Sequence, residues 1–190
     1  MSKHTANIIT LARIALVPLF MFFAGREGSL WLNLALLTFL IASVTDAIDG
    51  YVARRFSQVS NFGKFIDPLA DKLLVAGALL ALMARGQIGA WAVMLILTRE
   101  FAVTSLRLVA ACEGQALAAG WPGKLKMIVQ IVCVCVMLSV LGPMTLGGMT
   151  LNDLSVWVMT VVTVWSGIMY FIKYRALFHK RKIDKGRRRP

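Results

Sequence analysis

The sequence predicts an all-α integral membrane protein of six transmembrane helices, with both termini on the cytoplasmic side. Its 190 residues are 58% hydrophobic and 16% charged, with a mean hydropathy of +0.73. A soluble domain of this length cannot hide so much apolar surface. Six apolar segments each approach the ~20 residues a helix needs to cross a bilayer. Basic residues mark alternate connections. The turns after the first, third and fifth segments carry Arg26, Arg85 and no basic residue, while the other side has Lys3, Arg54, Arg55, Lys64, Lys72, Lys124, Lys126 and the C-terminal stretch. The side richer in lysine and arginine faces the cytoplasm.

The first apolar run, residues 8–24, has the outline of a signal peptide. Thr10 and Arg13 interrupt it and no small-x-small cleavage pattern closes it, so it reads as a helix that stays. A Gly25-Arg-Glu-Gly28 turn follows. The second helix is charge-free over residues 28–45 and continues through Asp46 and Asp49 to about Arg54. After a polar connection, Ser60 or Asn61 can cap the third helix. Pro68 leaves its start open: the helix has begun before the proline, which then sits in its early turns, or Asp67 is the cap and Pro68 the first helical residue. The third helix ends near Arg85-Gly86, and the fourth covers about residues 88–112 with Arg99, Glu100 and Arg107. Residues 127–152 carry no charge and supply a fifth helix with turns at Gly142-Pro143 and Gly147-Gly148; the sixth spans roughly residues 154–172. With no internal repeat or long linker, residues 1–190 form one domain, of which 173–190 are a basic cytoplasmic tail.

The formal net charge is +12, and nine of the 21 basic residues lie in residues 173–190. Next to a transmembrane span such a tail sits on anionic lipid headgroups rather than on nucleic acid. Cys112, Cys133 and Cys135 show no disulfide or metal-ligand spacing and read as small packing residues.

The chemistry is concentrated in residues 46–71, D46-A-I-D49-G50-Y-V-A53-R54 followed by G63-K-F-I-D67-P-L-A-D71, which hold four of the nine acidic residues. Asp46 and Asp49 share one helix face at i, i+3, and Asp67 and Asp71 share another at i, i+4. Gly50, Ala53 and Gly63 keep these faces open to a ligand. Four ionised carboxylates beside a membrane must be protonated or neutralised. Two divalent cations supply the matching charge, and Mg²⁺ takes carboxylate oxygens together with substrate phosphates. Such a pair can clamp the attacking and leaving oxygens of a phosphoryl displacement. The competing reading, helix caps and surface aspartates, does not account for four carboxylates interleaved with small residues.

The pattern D-x2-D-G-x2-A-R-x8-G-x3-D-x3-D resembles the signature of the CDP-alcohol phosphotransferases, with every fixed position present. Asn7-x-x-Thr10-x-x-Arg13 is similar to the family's first-helix motif, with His4 and Ala6 where Asn and Pro are common. R99-E-F-A-V-T-S-L-R107 and G123-K124-L-K126 look like the family's phosphatidylglycerophosphate synthases, which join CDP-diacylglycerol to glycerol 3-phosphate and release CMP. The resemblance implies a multi-pass enzyme of the cell (inner) membrane, a homodimer, with its active site at the cytoplasmic face. It implies two Mg²⁺ or Mn²⁺ ions on Asp46, Asp49, Asp67 and Asp71, with Asp71 also the catalytic base. CDP-diacylglycerol would be held by Asn7, Thr10, Arg13, Gly50, Ala53, Arg54 and Gly63.

Glycerol 3-phosphate would be held by Arg99, Arg107, Lys124 and Lys126. Physical reasoning agrees: an acceptor with its own phosphate needs positive charge near the metals, as bidentate arginine or point-charge lysine. Each lysine also suits plain positive-inside anchoring. Arg99 lies deep in its helix, where an unpaired charge is costly. Glu100 is placed elsewhere on that helix, in a structural hydrogen-bonding role. Three rivals stand beside this reading. The acceptor could be serine, inositol phosphate or phosphatidylglycerol. An intramembrane prenyltransferase has its Asp-rich motifs much further apart. A divalent-cation transporter leaves Gly50, Ala53 and Gly63 unexplained.

Overall fold

The computed structural model describes the backbone of residues 3–56, 61–112 and 120–187, and the side chains of residues 11–45, 70, 72–110 and 120–174. Six helices follow one another: α1 Lys3–Ala24, α2 Ser29–Phe56, α3 Asn61–Ala84, α4 Ala90–Cys112, α5 Trp121–Leu138 and α6 Leu151–Arg187. Between α5 and α6 lies a two-residue-per-strand hairpin, β1 Thr145–Leu146 and β2 Met149–Thr150, paired antiparallel with Thr145 opposite Thr150. Gly147 and Gly148 both have positive φ, 61° and 88°, the conformation a tight two-residue hairpin turn requires.

Element boundaries answer three questions the sequence left open or misjudged. The third helix starts at Asn61, so it has begun before Pro68 and Asp67 is not its cap. The fifth starts at Trp121 rather than near residue 127, with extended Gly120 as N-cap and a proline in its first turn, where the missing N–H costs nothing. Lys124 and Lys126 therefore lie within its first two turns. The sixth helix does not stop near residue 172 but continues to Arg187. At 1.5 Å per residue it is about 55 Å long, well beyond the ~30 Å hydrocarbon core. Its start is capped by Thr150, whose Oγ1 accepts from the Asp153 N–H at 3.1 Å and donates to Asp153 Oδ2 at 2.7 Å.

α1 packs against α2 and α3, and α6 packs against α5 and α4; α2 with α5 and α3 with α4 join the two groups. The core between them contains Phe20, Phe39, Leu79, Leu82, Ile96, Met137, Leu138 and Met159, all buried. The Phe20 and Phe39 rings meet 5.8 Å apart in a tilted pair. Gly77 lets α1 and α3 approach, since a Cβ there would lie 2.9 Å from Val17 Cγ1.

The connections at one end of the bundle are laced together. The Arg85 guanidinium, just past α3, donates from Nη1 to the Ala24 carbonyl at 2.9 Å and the Arg26 carbonyl at 3.2 Å. Gln87 Nε2 donates to the Met137 carbonyl at 3.2 Å, near the end of α5. Gly86, at φ 71°, closes α3: its N–H reaches the Met83 carbonyl and the Gln87 N–H reaches Leu82, a Schellman closure. The C-terminal ends of α1, α3 and α5 thus lie together, and successive helices alternate in direction.

The polarity is inside out. Trp91, Leu30, Ile128 and Trp157 are among the most exposed large apolar side chains, whereas Arg13, Lys126, Gln130, Thr163 and Ser166 are buried. A protein whose solvent is lipid shows this arrangement. Trp121–Leu138 and Leu151–Tyr174 are long and apolar enough to cross a membrane, and Leu11–Ala24, Ser29–Thr45 and Lys72–Ala84 are shorter apolar stretches. Two hydroxyls bond within their own helix: Thr38 of α2 donates to the Leu34 carbonyl and Thr104 of α4 to the Glu100 carbonyl, at 2.7 and 2.8 Å.

Candidate active site

Helix direction decides where the aspartates go. The Arg85 tie puts the end of α3 beside the start of α2, so the two helices are antiparallel. The C-terminal half of α2, with Asp46 and Asp49, and the N-terminal half of α3, with Asp67 and Asp71, therefore share the opposite end of the bundle. Asp46 stands about 25 Å along α2 from Ser29, and Asp71 about 21 Å along α3 from Arg85, which puts them near one level. The side chains of Asp46, Asp49, Asp67 and Asp71 lie outside the described residues, as do those of Asn7, Thr10, Gly50, Ala53, Arg54 and Gly63. Among the described residues no group of three or more histidines, cysteines or acids comes together to hold a metal.

Below that level lies a buried polar cluster whose side chains are described. Arg99 and Glu100 sit midway along α4, about 15 Å from Ala90. Arg99 Nη1 is 3.2 Å from Glu100 Oε1, and Nη2 donates to Ser166 Oγ on α6 at 2.5 Å. Lys126 of α5 brings its Nζ to 2.6 Å from the same Glu100 oxygen. The side chains of Arg99 and Glu100 are both 11% exposed, and that of Lys126 is 6% exposed. Charges this deep persist only when paired or hydrogen-bonded. Gly167 makes room for the cluster: a Cβ there would come within 2.9 Å of Arg99 Cγ.

The other expected cations are sorted into different places. Arg107, two helical turns beyond Arg99, donates from Nε to Tyr170 Oη at 2.9 Å, its guanidinium carbon 5.2 Å from that ring's centroid. Tyr170 in turn meets Tyr174 at 4.7 Å between centroids. The Arg107 Nη2 also approaches Gly123, at the start of α5. Lys124 is exposed, while Lys126, two residues on, is buried. Arg13 of α1 is buried, only 2% exposed. Of the four residues expected to hold the acceptor, the structure brings Arg99 and Lys126 together through Glu100, places Arg107 on Tyr170, and leaves Lys124 on the outside.

Glu100 was assigned elsewhere on the helix by sequence reasoning; adjacent residues point about 100° apart, but two long side chains converge here. A signal was available: Glu100 is the only acid between Asp71 and Glu113, and a lysine one turn inside an apolar helix needs an anion. Ser166 and Tyr170 carried no such signal, because their partners lie on another helix.

Comparison with known proteins bears on the family of the chain. The family model described as CDP-alcohol phosphatidyltransferase matches residues 3–184. A CDP-diacylglycerol–glycerol-3-phosphate 3-phosphatidyltransferase of Bacillus subtilis is 46% identical over 179 residues, covering 88% of this chain and 93% of its own. A probable phosphatidylglycerophosphate synthase of Mycobacterium tuberculosis is 38% identical over 171 residues, 88% of this chain and 79% of its own. A CDP-diacylglycerol–glycerol-3-phosphate 3-phosphatidyltransferase of Rickettsia typhi is 32% identical over 179 residues, 93% of this chain and 99% of its own. The chain belongs to the CDP-alcohol phosphatidyltransferase family and is a transferase of that kind.

Proposed function

We propose that this enzyme transfers the phosphatidyl group of CDP-diacylglycerol to glycerol 3-phosphate, giving phosphatidylglycerophosphate and CMP for phospholipid synthesis. The observation that carries the proposal is the placement of both aspartate pairs on antiparallel helices at one end of the bundle, above buried Arg99 and Lys126. The relatives named for this same reaction support it.

The donor set suits hard divalent ions: four carboxylates on neighbouring helices, and two Mg²⁺ or Mn²⁺ ions bound there would neutralise the diphosphate and the departing CMP. The remaining work falls to the chain. Arg13, Asn7, Thr10 and Arg54 hold the diphosphate, and Gly50, Ala53 and Gly63 let the nucleotide approach the helix backbones. Arg99, Lys126, Arg107 and Lys124 draw in the acceptor phosphate, as guanidinium forks or ammonium point charges. Asp71 receives the proton of the 1-hydroxyl as its oxygen attacks the β-phosphorus and the bond to CMP breaks. Positioning and charge stabilisation provide most of the acceleration.

The topology belongs to the same reading. Six spans place both termini and the aspartate end in the cytoplasm, as one domain, with the basic end of α6 against anionic headgroups and a second copy completing a homodimer. The deciding assay measures CMP release by purified protein in liposomes containing CDP-diacylglycerol. Release that depends on glycerol 3-phosphate, stops with EDTA and returns with Mg²⁺ or Mn²⁺ is the expected result. Equal release with serine, or none with any alcohol, refutes it.

A further inference from the structure

Glu100 holds chemistry the reaction scheme leaves unused. It is an acid in the middle of a helix, nine-tenths shielded from solvent, with cations reaching it from α4 and α5. Both donors converge on one carboxylate oxygen, and Ser166 fixes the far side of the Arg99 guanidinium. We infer that Glu100 is a positioning residue for the acceptor. Its carboxylate holds the Arg99 guanidinium and the Lys126 ammonium, from two different helices, at the spacing that receives one phosphate group. This rests on the proposed reading that the acceptor carries a phosphate.

Three physical points carry it. A lysine side chain is a flexible four-carbon stem, and near the end of an apolar helix its head moves toward water. Lys126 lies in the second turn of α5, within reach of that end, yet its head is held inward at 2.6 Å from Glu100. Next, α4 makes most of its contacts with α6 and α3, yet Glu100 draws in a cation from α5. The carboxylate therefore brings a charge from a second helix to the side of Arg99. Finally, Arg99 and Lys126 reach the same Glu100 oxygen. Glu100 thereby keeps the two cations side by side before a phosphate arrives, so less ordering remains to be done on binding.

The test uses the full-length protein in liposomes, varying glycerol 3-phosphate at saturating CDP-diacylglycerol and then the reverse. Glu100→Gln keeps the shape and removes the charge. It is expected to raise KM for glycerol 3-phosphate about tenfold or more, the worth of one charge-assisted hydrogen bond. KM for CDP-diacylglycerol should move less than about twofold. Lys126→Met should give a similar split, and the double variant should be little worse than Lys126→Met alone, because the two act as one unit. Protection of the purified protein against heat by glycerol 3-phosphate should weaken in parallel. Should Glu100→Gln fold poorly, Glu100→Asp carries the same comparison with a smaller shift. Equal loss for both substrates, additive effects with Lys126→Met, or undiminished protection by glycerol 3-phosphate overturns the role of Glu100 while leaving the acceptor reading intact. Wild-type protein without glycerol 3-phosphate-dependent CMP release overturns both.

Discussion

Arg99 and Lys126 show what residue-level reasoning reached and where it stopped. A basic residue deep in an apolar helix signals a partner, and that much was legible from hydropathy alone. The full set of partners was not: Glu100 adjoins Arg99 and stands out as the lone acid nearby, but Lys126 and Ser166 join the cluster only when α4, α5 and α6 assemble. Arg107 teaches the same lesson through Tyr170, whose hydroxyl accepts its Nε–H and whose ring lies beside the guanidinium. Tyr170→Phe removes the hydrogen bond but keeps the ring; on the proposed reading KM for glycerol 3-phosphate rises about tenfold, measured as CMP release against acceptor concentration. Asp71→Asn, which can neither take a proton nor carry charge, is expected to lower turnover at saturating Mg²⁺ by at least about a hundredfold. A near wild-type rate would remove Asp71 from the mechanism.

At the scale of elements, the number and order of helices followed from apolar runs, because a helix closes its backbone hydrogen bonds within its own segment. Ends were harder. The start of α5 was placed late because the charge-free run begins only at residue 127, yet Pro122 and extended Gly120 begin the helix ahead of Lys124 and Lys126. The length of α6 was underestimated for a related reason: charge marks the membrane boundary, and a helix need not stop there. Close contacts between elements hinge on single glycines. Gly167→Ala would drive a methyl group into Arg99 Cγ, costing about 1–3 kcal/mol and disturbing the Glu100 cluster. A lower melting temperature in detergent together with weaker acceptor binding is expected. Gly89→Ala is the control, since nothing lies within 4 Å of a Cβ there; it should leave both unchanged.

For the whole molecule, the sequence placed Asp46 and Asp49 on the second helix and Asp67 and Asp71 on the third, and the backbone of α2 and α3 has them there. How the buried cations are shared out beneath them was not legible, because that depends on which helices pack together. The alternating helix directions give the proposed orientation a direct check. A single cysteine placed at Gly147 in the hairpin, in a background lacking Cys112, Cys133 and Cys135, should react with a membrane-impermeant maleimide from outside intact cells. One placed at Lys124 should react only after the membrane is opened. The reverse pattern would place the aspartates on the wrong side for a cytoplasmic nucleotide. Arg85 and Gln87 add a mechanical consequence. They tie three turns together at one rim, so on the proposed reading the opposite, aspartate-bearing rim would be the one free to widen. Over a lever of about 25 Å, a tilt of about two degrees would shift that rim by about 1 Å, enough for a lipid-borne nucleotide to be admitted and gripped, as fingers open from a fixed knuckle.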